Sequence, residues 1–168
     1  MGSTSGRKEA PQQGMKALAF QEPWATFIVT GVKVHEYRSR RIKTPVRDLV
    51  VCASKTARAY EPVPGLCYGK AIGLVDVTSC DPDGEVGWVW GLENPRLVKP
   101  FDVHATASFF YVYDEVEVVP SGEWSYRNNV LPEALEGDSD EIEDVLEACF
   151  RSRLALIQVF GGDVEEWL

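Results

Sequence analysis

The stretch Gly31-Val32-Lys33-Val34-His35-Glu36-Tyr37-Arg38 is where the period of the chain changes. Upstream of it Trp24, Phe27, Ile28 and Gly31 recur at i, i+3, i+4 and i+7. With Pro23 at the first helical position and Gly31 just past the end, this spacing predicts a short helix whose apolar face, Trp24 included, joins the core. Downstream the period becomes two: Val34, Glu36 and Arg38 fall on one face of a strand, His35 and Tyr37 on the other, with Lys33 at the junction. Glu36 and Arg38 are therefore neighbours. They either neutralise each other as a structural ion pair, or Glu36 orients Arg38 or Lys33 toward a ligand.

Charge supports looking here for a ligand. Residues 33 to 58 carry eight cations (Lys33, Arg38, Arg40, Arg41, Lys43, Arg47, Lys55, Arg58) against two anions, Glu36 and Asp48, a net +6 in a chain of net −9. The excess negative charge lies entirely in residues 133–168, where eleven acidic residues meet two basic ones, so residues 1–132 are neutral overall. A neutral body with a basic patch tolerates a phosphate backbone that a uniformly acidic protein would repel. On charge alone, a solvated face balanced by carboxylates from elsewhere is the simpler account.

The flanking segments read mainly as strands. Lys16–Phe20 is a short apolar strand before the helix, Ser39–Pro45 a basic loop, and Asp48–Ala53 an apolar run of the kind that is covered on both faces, ending in the polar Ser54-Lys55-Thr56. Glu61–Gly69 reads as a loop and Lys70–Cys80 as a long strand, with Ile72, Leu74, Asp76, Thr78 and Cys80 on one face and Ala71, Gly73, Val75, Val77 and Ser79 on the other. That sets the carboxylate of Asp76 among apolar residues, where it needs a partner or a raised pKa. Asp81-Pro82-Asp83-Gly84 is a turn, Glu85–Leu92 a short helical or irregular piece, and Leu97–Val103 a strand. Phe109–Val119 alternates as an antiparallel strand does. At the C-terminus, Asp138 and Glu141 form a capping box for an amphipathic helix over 138–153, followed by an apolar strand, Leu154–Phe160. Short strands, turns rich in Gly and Pro and few helices together predict a small β-barrel.

Composition bounds the class. At 168 residues, 45% hydrophobic and 26% charged, the chain has the makeup of one globular domain with an extension, and no apolar run approaches a membrane span. Met1–Gly14, polar and without the apolar core of a secretory signal, reads as a flexible leader, with Met15 a candidate natural start. Residues 15–168 are expected to form a single domain, its core at 15–118 and an acidic extension at 133–168. Cysteines at 52, 67, 80 and 149 form no C-x-x-C pair and the chain has two histidines, so neither a metal site nor a cofactor is expected, and free thiols point to the cytoplasm.

Several of these pieces together resemble the ASCH domain, a compact PUA-like family. They are Ala17-Leu-Ala-Phe-Gln-Glu-Pro-Trp-Ala25, then Gly31-Val-Lys33-Val-His-Glu36-Tyr-Arg38 against the family's G-x-K-x-x-E-x-R, Val51-Cys-Ala-Ser-Lys55, Gly73-Leu-Val-Asp76 and Trp90-Gly-Leu-Glu-Asn-Pro-Arg96. The resemblance covers about residues 15–118. It implies an α+β fold, a small PUA-like mixed β-barrel with a short helix after the first strand, to which this chain adds its C-terminal helix. It also implies a cleft beside the first helix and binding of RNA, other single-stranded nucleic acid or a nucleoside or nucleotide. The expected ligand-binding set is Lys33, Glu36, Arg38, Arg40, Arg41, Ser54, Lys55, Glu93 and Arg96. The alternative is a small hydrolase acting on a modified nucleoside, amidohydrolase-like, or on RNA, with Lys33, Glu36 and Asp76 as catalytic candidates. Glu36 stands where the amidohydrolase pattern has Thr, and His104-Ala-Thr-Ala107 stands where relatives often carry Gly.

Overall fold

A computed structural model describes residues 13–56, 66–85, 87–120, 157 and 160–162. Six strands and one helix follow in the order β1 (Met15–Phe20), α1 (Trp24–Thr30), β2 (His35–Arg38), β3 (Val46–Ala53), β4 (Lys70–Pro82), β5 (Trp88–Asp102) and β6 (Phe110–Val112). The strands form one mixed sheet in the order β2-β5-β4-β3-β1-β6, antiparallel throughout except for the parallel pair β1 and β3. A parallel neighbour demands a crossover, and α1 with β2 supplies it.

The continuous apolar run of β3 is covered on both sides, as its composition requires. Leu49, Val51 and Ala53 enter a core beneath α1 with Phe20, Ile28, Val29, Val75 and Trp90, while Val50 and Cys52 enter a second core with Ala17, Leu74, Val98 and Val112. Helix α1 is buried from Ala25 to Thr30 and stops at Gly31, whose φ of 82° is the left-handed conformation that glycine adopts without penalty. The Lys33 N–H then returns to the Phe27 carbonyl at 3.0 Å and turns the chain into β2. The helix lies hard against β4: a Cβ on Gly73 would collide with the Val29 side chain and the Arg96 carbonyl. Complete burial of Ile28 and Val29 stabilises the arrangement by about 1.5–3 kcal/mol per side chain.

Four expectations are corrected. The strict alternation along β4 fails, because Ile72, Val75 and Val77 share one core and Ala71 and Leu74 the other. The parity shifts at Ile72: from Val51↔Gly73 to Cys52↔Ala71 strand β3 advances one residue while β4 advances two, so Ile72 is an inserted bulge residue. Glu85–Leu92 is not helical beyond Trp88: β5 runs unbroken from Trp88 to Asp102, through Asn94-Pro95. The Phe109–Val119 strand is short, with β6 limited to Phe110–Val112 and a further bridge from Val118 to Val98. Finally, the strand expected over Leu154–Phe160 is helical at Ile157 and Phe160, and the Gly161 N–H closes the turn on the Ile157 carbonyl at 2.9 Å.

The predicted helix at 138–153, Arg58 and most of the leader lie outside the described residues. The backbone ladder is open, with β2 and β6 as its edges. A side chain nevertheless bridges β2 to β1, where Arg38 Nη2 donates to the Ala19 carbonyl at 3.2 Å.

Candidate nucleic-acid interface

Where β1 and β3 end and β2 passes alongside, the surface opens into a cleft of about 690 Å³. Backbone hydrogen bonds tie its floor together in series: Ser54 N–H to Phe20 O at 2.8 Å, Gly69 N–H to Ala53 O at 2.9 Å, and Val103 N–H to Gly69 O at 3.2 Å. One wall carries Gln21, Trp24, Glu36, Tyr37 and Arg38; the Ser54-Lys55-Thr56 turn and residues 103–107 complete the rim.

Glu36 is the hub of the wall. Only 9% exposed, it accepts from Arg38 Nε on Oε1 at 2.9 Å and meets Lys33 Nζ at Oε2, 3.2 Å away. Both cations also rest on aromatic faces. The Arg38 guanidinium lies 4.8 Å from the Phe20 ring centroid and 5.8 Å from that of Trp90, and Lys33 Nζ lies 5.4 Å from Trp24 and 6.0 Å from Tyr37. Such contacts contribute on the order of 0.5–2 kcal/mol each and fix the direction of the cation. Two cations on one carboxylate leave a net +1 at this wall, held in place by rings.

The structure thus brings Glu36, Arg38, Ser54 and Lys55 to one cleft, with Lys33 behind Glu36. It separates the rest. Arg40 and Arg41 are exposed on the loop after β2, Arg41 over the Trp88 ring at 5.5 Å, and neither lines the cleft. Glu93 is exposed on β5. Arg96 belongs with Asp76 in another network, donating to Asp76 Oδ1 at 2.9 Å and to Asp48 Oδ1 at 2.6 Å.

Trp24, expected in the core, is half-buried and lines the cleft, with Lys33 Nζ 5.4 Å from its ring centroid. Sequence reasoning missed Gln21, Tyr37, Thr56, His104 and Thr106. Of these, Thr56 shared the signal of the polar strand end Ser54-Lys55-Thr56, and Tyr37 had one as an aromatic on the face of β2 opposite Glu36; it is 64% exposed. Among the described residues no group of three or more His, Cys, Asp or Glu is placed to hold a metal ion. Burial pushes the Cys52 thiol up to about 12, so it stays protonated and inert.

Between Gln21 and the helix lies a buried carboxyl that composition did not reveal. Glu22 accepts the Thr26 hydroxyl on both oxygens, at 3.0 and 2.8 Å. Desolvation raises its pKa from 4.5 to about 8, against the opposing hydrogen bonds from the Thr26 side chain and backbone. A folded pKa above the unfolded one means that the native state holds the proton more tightly, so this group's stabilisation is complete below about pH 4.5 and lost as pH rises through about 8. Glu22→Gln is therefore expected to flatten the decline, which this group sets at up to ~1.4 kcal/mol per pH unit. Urea midpoints of the two proteins should diverge from pH 5 to pH 9 with the variant higher; parallel curves would refute the assignment.

An α+β domain with a mixed sheet, a short buried helix and a cleft walled by ring-supported cations is the class these features define. The chain belongs to the ASCH domain family, whose pattern matches residues 18–118. No curated protein matches it. Among solved structures, the ASCH protein of Zymomonas mobilis is similar at 14% identity with a TM-score of 0.42, over 58% of this chain and 86% of that one. Two point variants of that protein are similar at 13% identity, one with a TM-score of 0.42 over 58% of this chain and 88% of its own, the other with 0.40 over 61% and 91%.

Proposed function

We propose that this protein binds RNA or another single-stranded nucleic acid, or a nucleotide, through the cleft beside α1, with the sheet acting as a curled, barrel-like support. The observation that carries this reading is the Lys33–Glu36–Arg38 cluster: a cationic, hydrogen-bonding wall backed by aromatic rings at the edge of a cleft sized for a small ligand. Arg38 offers its remaining donors to phosphate or to a base edge, and Glu36 has lone pairs left for an exocyclic amine. Outside the wall, Arg40, Arg41, Lys43 and Lys55 are exposed and serve a passing backbone. Membership of the ASCH family, which is associated with RNA binding, supports the same reading.

Four neutralised phosphates predict a log-log slope of affinity against salt on the order of −3 for a single strand. Fluorescence anisotropy with a labelled single-stranded RNA from 50 to 300 mM salt measures it, and a slope near zero would remove the polymer-binding reading. The hydrolase alternative has less support, because Asp76 sits in a separate network and only Glu36 among the described carboxylates lines the cleft. The thiols of Cys52 and Cys80, both unbridged, support a reducing compartment such as the cytoplasm.

A further inference from the structure

We infer that the end of the cleft formed by Ser54, Lys55, Thr56 and His104 is the seat of a phosphate monoester, so that the site takes a nucleoside monophosphate or the phosphorylated end of a strand. This rests on the nucleic-acid reading above and narrows it to a terminal phosphate.

The floor's hydrogen-bond series sets the geometry. The Ser54 N–H donates to the Phe20 carbonyl, and Gly69 donates to Ala53 and accepts from Val103, so Ser54-Lys55-Thr56 and His104 flank the same glycine. The Glu36–Arg38 wall stands across Ala19 and Phe20, and two chain spacings of about 4.8 Å each separate Phe20 from Gly69. That separation suits a base at the wall, a sugar over the floor and one phosphate at the far end.

Chemistry at the far end matches this. Lys55 makes no ion pair with any described residue, whereas Lys33 and Arg38 are both engaged by Glu36. The hydroxyls of Ser54 and Thr56 and the imidazole of His104 add donors around the same space, while the Thr106 hydroxyl already donates to the Ser108 carbonyl at 3.1 Å. Gly69, at φ +71°, adds no side chain; even a Cβ there would rest on the Lys55 stem at 3.6 Å.

Charge favours a terminal phosphate here. Lys55 is the cation that lines this end, since Lys33 and Arg38 are held by Glu36 at the wall. A phosphate monoester carries about −1.5 to −2 at neutral pH against −1 for an internal diester, so the Lys55 ammonium attracts it more strongly.

The test is calorimetric titration of the full chain with adenosine, cytidine, guanosine and uridine, with their 5′- and 3′-monophosphates, and with short single-stranded RNAs bearing hydroxyl or phosphate ends. A terminal phosphate is expected to tighten binding at least ~10-fold, the scale of charge-assisted hydrogen bonds to one phosphate. Lys55→Gln should cut that gain to below ~3-fold, and circular dichroism checks that the variant is folded. A gain with mononucleotides alone or with strand ends alone supports the proposal and identifies the source. Equal affinity for phosphorylated and unphosphorylated forms, or a gain that persists in Lys55→Gln, overturns it while leaving nucleic-acid binding standing. Failure of every nucleoside, nucleotide and RNA to bind would overturn both.

Discussion

Asp76→Ala is expected to destabilise the protein by about 3–5 kcal/mol, the scale for removing one partner of a buried charge network. Asp76 is 5% exposed and accepts four hydrogen bonds: on Oδ1 from the Asp48 N–H and Arg96 Nη2, both at 2.9 Å, and on Oδ2 from Arg47 Nη1 and Asn94 Nδ2, both at 3.3 Å. Two of those donors come from residues with unusual backbones, since Asp48 and Asn94 each have φ of 53°. Both sit at register breaks, one between Val46 and Leu49 on β3, the other opposite the break between Leu74 and Asp76. Left-handed backbone at a non-glycine residue costs on the order of 1–3 kcal/mol and persists only where surrounding contacts enforce it. Asp76 contributes to that enforcement at two bulges at once; its truncation takes one of two carboxylates from Arg96, which keeps Asp48 Oδ1 at 2.6 Å and the Asn94 carbonyl at 3.0 Å, and leaves both bulges less constrained. Urea denaturation measures the loss; a change below ~1 kcal/mol would show that the bulges are held by something else.

The same carboxylate gives a signed pH effect. Desolvation raises the Asp76 pKa, but the hydrogen bonds from Asp48, Asn94 and Arg47 and the charge of Arg96 outweigh it, and the net shift is downward from 3.8. A depressed native pKa contributes stability that is present above the unfolded value and lost as pH falls through the native one. Asp76→Asn should accordingly weaken the protein at pH 6 and lose stability less steeply than the parent below pH 4.

Asp76 also shows what was legible in the sequence. Its position in β4 among apolar neighbours announced a carboxylate in need of partners, but the four partners come from strands brought beside it only by folding. The period change at Gly31 placed Glu36 and Arg38 on one face correctly, because a strand too short for a bulge keeps its parity. β4 is 13 residues long and carries an inserted residue opposite the Val51/Cys52 break, so alternation read along it put Ile72 and Leu74 on one face although they enter different cores. Only Leu97–Val103 was expected as strand here, yet Asn94-Pro95 lies within β5 inside a register break, where a proline lacking its N–H costs no ladder hydrogen bond. Continuing β5 through it carries Glu93 and Arg96 away from the cleft that the Glu-Asn-Pro-Arg resemblance had assigned them. Ser54 and Lys55 were found because a polar group ending a buried strand has to emerge at the sheet's rim. His104 gave no such signal: its place beside Gly69 depends on a loop returning from β5, which no local pattern encodes.

Arg38→Ala is expected to weaken binding of single-stranded RNA or nucleotide at least ~10-fold and to lower stability by about 1–3 kcal/mol, the scale of hydrogen bonds to charged groups. Arg38 does two jobs at once. Its Nε holds Glu36 at 2.9 Å, its Nη2 ties β2 to the Ala19 carbonyl of β1 at 3.2 Å, and its flat guanidinium covers Phe20. No ladder bond links β2 to β1, so the tie between them at the cleft depends on this side chain. Lysine cannot replace it, since a single ammonium reaches neither both acceptors nor the ring face in one geometry, and Arg38→Lys should behave much as Arg38→Ala. Whether the loss is one of contact with ligand or of positioning is decided by a double-mutant cycle with Glu36→Gln, read in binding and in stability separately. If Glu36 works by aiming Arg38, the two substitutions should couple by about 1–3 kcal/mol in binding, because once the guanidinium is gone the carboxylate has one cation less to orient. Additive losses in binding would mean that each side chain touches the ligand on its own account. Coupling confined to stability, with binding unchanged, would reduce the pair to a structural clasp on the edge strand and leave the cleft without its reader.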